Sequence, residues 1–127
     1  MATEPIKKRI LHVDDDSDTS IVVKTILEKA GYEVISKTSG KDVLEAVKKS
    51  KFDLVLLDIM MPDMSGWDLF NRLHTQDSNL KVAILSIIKL TSDKVDELMR
   101  SGLEDYITKP FERQDLVNRV KKIINKK

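Results

Sequence analysis

The chain has 127 residues, of which 41% are hydrophobic and 34% charged, a balance typical of one globular domain. A net charge of +1 leaves no global electrostatic case for binding nucleic acid or an anionic membrane. The absence of cysteine excludes disulfides, a thiolate nucleophile and a zinc–thiolate site. Apolar runs stay well short of the roughly 20 residues of a membrane span, and the polar N-terminus lacks a signal-peptide core, so we expect a cytoplasmic protein with no membrane segment.

Five short apolar runs along the chain are predicted to be β-strands. They cover residues 10–13, 33–35, 54–57, 81–85 and 106–108. The third and fourth runs are almost continuously aliphatic, which is typical of strands covered on both faces.

Each run is followed by a helical pattern of apolar residues. The first predicted helix starts near Asp18, with Ile21, Val22, Ile26, Leu27 and Ala30 expected on its buried face and Gly31 as its stop. The next two are marked by Val43, Leu44 and Val47, and by the stretch 66–73. The fourth is expected from an N-cap at Ser92 to Gly102, and the fifth carries Leu116, Val117, Val120, Ile123 and Ile124.

This alternation predicts an α/β fold, a doubly wound, five-stranded parallel sheet with five helices, because parallel neighbours need a helical crossover. Residues 1–7 are expected to form an N-terminal tail, and residues 8–127 a single domain.

Polar side chains follow four of the five predicted strands. They are Asp14, Asp15 and Asp16 after the first, Asp58 after the third, Ser86 after the fourth, and Lys109 after the fifth. Because parallel strands deliver their carboxyl ends to one edge, where ligands bind, we expect these groups to converge on one rim. Asp16 is assigned instead to the turn before the first helix, where an acidic group suits the helix N-terminus.

The charges at this rim indicate a divalent cation. Asp14, Asp15 and Asp58 against Lys109 leave a net charge of −2 in a small space. A hard cation with oxygen ligands offsets that charge, so Mg²⁺ is the expected occupant. A cation, an ammonium and a hydroxyl around one carboxylate also suit phosphoryl transfer to that carboxylate, and Asp58, alone at its strand end, is the candidate nucleophile.

Three strings make the chain resemble the receiver domain of two-component response regulators. They are Val-Asp-Asp-Asp at 13–16, Asp-Ile-Met-Met-Pro-Asp-Met-Ser-Gly at 58–66, and Tyr-Ile-Thr-Lys-Pro-Phe at 106–111, with Ser86 between the last two. The resemblance covers about residues 8–126. It implies the flavodoxin-like strand order 2-1-3-4-5.

The resemblance also implies a role for each rim residue. Asp58 would accept a phosphoryl group from a sensor histidine kinase or a phosphotransfer protein. Asp14 and Asp15 would hold Mg²⁺ together with Asp58 and the backbone carbonyl of Met60. Lys109, preceding a cis peptide bond to Pro110, and Ser86 would contact the phosphoryl oxygens, and Tyr106 would move inward with Ser86.

The expected output surface is the face formed by the fourth helix, fifth strand and fifth helix, which would contact a downstream protein. Charged residues there leave pairing with a second copy open, namely Lys94, Asp96, Glu97 and Arg100. The basic C-terminal stretch is interpreted as a solvated helix end rather than a nucleic-acid patch.

The sequence departs from the family pattern at Ile87, where a small residue usually follows the hydroxyl. Its branched side chain is expected to restrict access of the phosphodonor and movement of the loop. Met60 and Ile88 border the path of the hydrolytic water in the family, and neither orients water by a hydrogen bond. We therefore predict slow self-dephosphorylation.

Two other functions are left open by the residues. A Mg²⁺-dependent phosphatase or phosphotransferase would use the same aspartyl phosphate, although the chain shows no extra substrate-binding segment. A pseudo-receiver would keep the fold as a binding module without switching, and Ile87 is the residue that favours it. Tyr106, judged from the strand pattern alone, is expected near the surface. His12 and His74 are interpreted as packing or surface residues.

Overall fold

The computed structural model describes residues 6–126; residues 1–5 of the predicted tail, and Lys127, lie outside the described residues. The strands are β1 (Arg9–Val13), β2 (Glu33–Lys37), β3 (Leu54–Leu57), β4 (Val82–Ser86) and β5 (Asp105–Thr108). The helices are α1 (Ser17–Lys29), α2 (Gly40–Lys49), α3 (Gly66–Gln76), α4 (Ser92–Arg100) and α5 (Arg113–Asn125). Each predicted element is present.

The five strands form one parallel sheet in the order β2-β1-β3-β4-β5, which confirms the predicted fold class and strand order. Helices α1 and α5 cover one face and α2, α3 and α4 cover the other. Side chains alternate between the two faces along each strand, so Ile10 packs with α1 and α5 while Leu11 packs with the other helices. The sheet is therefore buried on both sides, which explains the aliphatic runs in β3 and β4.

Short polar side chains fix the starts of four helices. Asp16, Ser39, Ser65 and Thr91 each accept a hydrogen bond from a backbone N–H in the first turn of α1, α2, α3 and α4, respectively. The assignment of Asp16 to the turn before α1 is thus supported by its contacts. The predicted N-cap of α4 was wrong by one residue. The N-cap is Thr91, whose hydroxyl oxygen lies 3.2 Å from the backbone nitrogen of Lys94, and Ser92 is already helical.

The predicted buried face of α1 was partly wrong. Ile21 and Val22 are 63% and 50% exposed, whereas Val23 is fully buried together with Leu27. Val23, Ile26 and Leu27 have the spacing of one helical stripe, and that stripe faces the sheet. Two large apolar side chains are consequently left on the outer surface of α1.

Candidate functional site

Strand register brings the predicted rim residues together. Val13 pairs with Leu57 across β1 and β3, so Asp14 and Asp58 leave the sheet side by side. Ser86 pairs with Thr108 across β4 and β5, and Lys109 is the next residue. The convergence expected at the carboxyl edge of the sheet is therefore present.

Three carboxylates and one ammonium form the centre of this rim, which we call the acidic site (Asp14, Asp15, Asp58 and Lys109). The three carboxylates each offer an oxygen, and these oxygens lie within 4.8 Å of one another. The Lys109 Nζ lies 2.6 Å from Asp14 Oδ2 and 3.6 Å from Asp58 Oδ2. Asp14 is 1% exposed and Asp58 9%, whereas Asp15 is open to solvent. The site is thus a partly buried acidic pocket with a lysine at its edge.

The environment of Asp58 disfavours its charge. Burial raises the pKa of the Asp58 carboxyl, and the nearby negative charge of Asp14 adds to that effect. The Lys109 ammonium and the backbone N–H of Met60 act in the opposite direction without cancelling the rise in pKa. Additional positive charge at the acidic site would favour the charged form of Asp58.

The loop after Asp58 is shaped by backbone contacts. The Met60 N–H donates to Asp58 Oδ1 at 3.2 Å, and the Gly66 N–H donates to the Ile59 carbonyl at 2.7 Å. A Cβ at Gly66 would lie only 2.5 Å from the Asp58 carbonyl oxygen. Glycine is therefore required here for the first turn of α3 to approach the end of β3, which gives a physical reason for this residue in the 58–66 string.

Ser86 and Tyr106 meet at the loop between β4 and α4. Ser86 is fully buried, and its hydroxyl accepts a hydrogen bond from the Ile88 N–H at 3.2 Å. The Tyr106 hydroxyl donates to the Ile88 carbonyl, and burial raises the pKa of Tyr106. Tyr106 is only 6% exposed, so the expectation that it lies near the surface was wrong. Its ring packs in the core on the side of α2, α3 and α4.

Exposed apolar side chains lie close to the acidic site in sequence or line a groove beside it. Ile87 is 66% exposed and Met60 59% exposed, and each lies within two residues of Ser86 or Asp58. A groove next to Lys109 is lined by Val22 of α1. Ile87 and Met60 were singled out from the sequence. The exposure of Val22 was missed because its run of apolar neighbours resembled a core pattern.

The histidines lie outside the acidic site, as the sequence predicted. His12 is fully buried on β1, and burial lowers its pKa to about 4, so its ring is uncharged at neutral pH. His74 packs against Phe70 with ring centroids 4.5 Å apart.

The peptide bond between Lys109 and Pro110 is cis, as expected. Within residues 6–126, no helix has the length and hydropathy needed to cross a membrane.

Comparison with known proteins identifies the family. The family model for the response regulator receiver domain matches residues 10–121, and the chain belongs to this family. It is 36% identical over 117 residues to the chemotaxis protein CheY of Thermotoga maritima, covering 91% of this chain and 97% of that protein. It is also 41% identical over 112 residues to the transcriptional regulatory protein YrkP of Bacillus subtilis, covering 88% of this chain and 47% of YrkP.

A solved structure supports the same assignment. The response regulator TrrA of Thermotoga maritima, determined with Mg²⁺ and BeF, is 30% identical, with a TM-score of 0.80 over 91% of this chain and 98% of that one. The chain spans about half the length of the Bacillus transcriptional regulatory proteins that it matches and nearly all of CheY. Its class is thus a signalling receiver of two-component systems.

Proposed function

We propose that this chain is a phosphorylation-dependent signalling switch whose phosphoryl acceptor is Asp58. The observation that carries the proposal is the contact set of the acidic site, in which Asp58 shares a pocket with two other carboxylates and lies 3.6 Å from the Lys109 ammonium. This arrangement surrounds one nucleophile with the charges that a transferring phosphoryl group needs. A sensor histidine kinase or a phosphotransfer protein is the proposed donor.

The acidic site fits a divalent cation. Three carboxylate oxygens within 4.8 Å of one another are hard ligands, and one lysine faces the three negative charges of their side chains. Asp14, Asp15 and Asp58, with the Met60 carbonyl, would hold Mg²⁺. The cation would supply charge stabilisation for the phosphoryl oxygens.

The proposed transfer is a single displacement at phosphorus. A carboxylate oxygen of Asp58 forms the new O–P bond while the N–P bond to the donor histidine breaks, and the donor imidazole leaves with the electron pair. Lys109, already shared between Asp14 and Asp58, is placed to contact the phosphoryl oxygens. The buried Ser86 hydroxyl would donate its proton to one of those oxygens, since in the hydrogen bond with the Ile88 N–H only its oxygen is engaged, as the acceptor.

The switch would work through the loop between β4 and α4. Ser86 and Tyr106 both contact Ile88, so a shift of Ser86 toward the phosphoryl group changes the same loop that the Tyr106 hydroxyl holds. Every residue of α4 keeps part of its surface exposed, which makes this helix the least deeply packed neighbour of the loop. Phosphorylation would thereby bias two arrangements of the face formed by α4, β5 and α5, where a downstream protein is proposed to bind.

Beryllofluoride provides the test of switching. Addition of Mg²⁺ and beryllofluoride to the wild-type chain should change amide hydrogen exchange in residues 87–100 and around Tyr106, and Asp58→Asn should abolish the change. Saturable binding without any change in those segments would instead support the pseudo-receiver. An Ile87→Ala variant measured alongside shows whether the exposed Ile87 limits the response. Steady turnover of small phosphate esters would favour the enzyme alternative.

A further inference from the structure

Asp63 connects the loop after β3 to the start of α2. Its Oδ1 accepts a hydrogen bond from the Gly40 N–H, and its Oδ2 accepts one from the Lys41 N–H, both at 3.0 Å. The two contacts join segments 22 and 23 residues apart in sequence. Asp63 itself is exposed, so the carboxylate lies across the surface between the two segments rather than within the core.

The N-terminus of α2 is well suited to hold this carboxylate. The first N–H groups of a helix have no partner within the helix, and the end of the helix carries a partial positive charge. Ser39 satisfies the Asp42 N–H at 3.2 Å, and Asp63 satisfies those of Gly40 and Lys41. The latter two hydrogen bonds favour the charged carboxylate and so lower the pKa of Asp63.

A packing contact fastens the same loop to the same helix. A Cβ at Gly40 would lie 2.6 Å from both Cγ and Sδ of Met64, so Met64 already occupies the space that a larger residue at position 40 would need. Met64 also packs on the core on that side of the sheet. The loop is thus attached to α2 at two consecutive residues, by the hydrogen bonds of the Asp63 carboxylate and by the packing of Met64 on Gly40.

The loop held in this way carries part of the acidic site. It begins at Asp58, and its other end is closed by the hydrogen bond from Gly66 to Ile59. Between these ends lies Met60, whose carbonyl is a proposed Mg²⁺ ligand. Because Met60 is 59% exposed, its side chain contributes little to fixing the loop. On the side of Met60 away from Asp58, the loop is attached to a separate element by the hydrogen bonds that Asp63 accepts from Gly40 and Lys41.

We propose that Asp63 is a positioning residue for the divalent cation, acting by holding the loop that presents the Met60 carbonyl beside Asp58. This inference rests on the proposed function, because it assumes that the acidic site binds Mg²⁺. It assigns to α2 a role in metal binding, although α2 supplies no ligand. Outer partners of metal ligands commonly change metal affinity by about 10- to 100-fold when they are removed.

The test is a Mg²⁺ titration followed by the fluorescence of Trp67, which is the single tryptophan of the chain and lines a groove with Asp15 and Met60. Asp63→Ala should weaken Mg²⁺ binding about tenfold. Asp63→Asn keeps one acceptor oxygen and the size of the side chain, so its loss should be smaller. Thermal unfolding of each variant is measured in EDTA beside the titration.

Ser39→Ala is the matched control, because it removes a cap from the same turn of α2 without touching the loop. Its Mg²⁺ affinity should stay within about twofold of wild type even where its unfolding temperature falls as far as that of Asp63→Ala. Unchanged affinity in both Asp63 variants, or an equal loss in Ser39→Ala, would overturn the positioning role while leaving the proposed function intact. A wild-type chain with no saturable response to Mg²⁺, by fluorescence or by calorimetry, would overturn both.

Discussion

Lys109 donates a 2.6 Å hydrogen bond to Asp14, a residue 95 positions earlier in the chain. The same ammonium lies 3.6 Å from Asp58, so the lysine is closer to a proposed metal ligand than to the proposed acceptor. The side chains of Lys109 and Asp14 are 13% and 1% exposed, which places this ion pair largely out of water. We therefore expect both the stability of the rim and the proposed phosphoryl transfer to depend on Lys109.

Replacement of Lys109 by Gln should destabilise the chain and slow phosphorylation. Asp14 would keep a buried charge without a cationic partner, which typically costs about 3–5 kcal/mol. Mg²⁺ should recover more stability in the variant than in wild type, because a cation at the acidic site replaces the missing charge. Thermal unfolding in EDTA measures the loss of stability, and thermal unfolding in Mg²⁺ measures how much of that loss the cation recovers.

The control for this variant is Lys94→Gln. Lys94 pairs with Glu97 at 3.6 Å on the exposed surface of α4, where such a pair contributes about 0–1 kcal/mol. Equal destabilisation by the two substitutions would contradict the assignment of a buried ion pair at the rim.

Tyr106→Phe should loosen the loop between β4 and α4. The substitution removes the hydroxyl that donates to the Ile88 carbonyl and leaves the ring in place, at a cost of about 1 kcal/mol. Amide hydrogen exchange should become faster in residues 87–90. Tyr32→Phe, at the other buried tyrosine, should leave those residues unchanged, and similar exchange in both variants would refute the role of the Tyr106 hydroxyl.

His12 should make the chain less stable as the pH falls. The pKa of His12 is about 4 in the folded chain and 6.5 in the unfolded chain, so the unfolded chain binds a proton more readily. The stability that comes from the neutral ring is complete above pH 6.5 and is lost as the pH falls toward 4, on the order of 3 kcal/mol in total.

The free energy of unfolding measured between pH 7 and 4 tests this prediction. His12→Leu, which removes the titrating ring from a buried position, should show a shallower dependence on pH than wild type. If His12→Leu and wild type lose stability in parallel, the low pKa of His12 is not the cause.

Self-dephosphorylation should be slow in the wild-type chain and faster in Met60→Asn/Ile88→Glu. Met60 is exposed next to Asp58, and neither it nor Ile88 has a side chain that orients water by a hydrogen bond. The loss of the phosphoryl group is timed after removal of the donor, with Met99→Asn, a substitution at an exposed methionine of α4, as the control. A double variant no faster than this control would refute the idea.

Patterns along the chain were sufficient to predict the sheet and the centre of the acidic site. Leu54–Leu57 is β3 with the predicted bounds, and Asp58 directly after it has to lie at the carboxyl edge. Asp14 lies beside it because β1 and β3 are parallel neighbours in register. Periodicity thus places both carboxylates at the carboxyl edge, and the strand order implied by the family resemblance places them side by side.

Contacts between distant segments were not predictable in this way. Ile21, Val22 and Val23 are three consecutive apolar residues that turn about 100° each around a helix, so they cannot all face the sheet, and packing selects Val23. The contact of Asp63 with Gly40 joins the loop after β3 to the start of α2, and no local pattern relates these two segments. The buried Tyr106 on β5 donates its hydroxyl proton to the Ile88 carbonyl, and this acceptor lies on the loop between β4 and α4.

The central claim, that Asp58 accepts a phosphoryl group with the help of a divalent cation, is tested most directly by intact mass after incubation with acetyl phosphate and Mg²⁺. We predict one added phosphoryl group on the wild-type chain, and none on Asp58→Asn or on the wild-type chain in EDTA. An adduct that persists in Asp58→Asn, or a wild-type chain that gains no mass in the presence of Mg²⁺, would contradict the account.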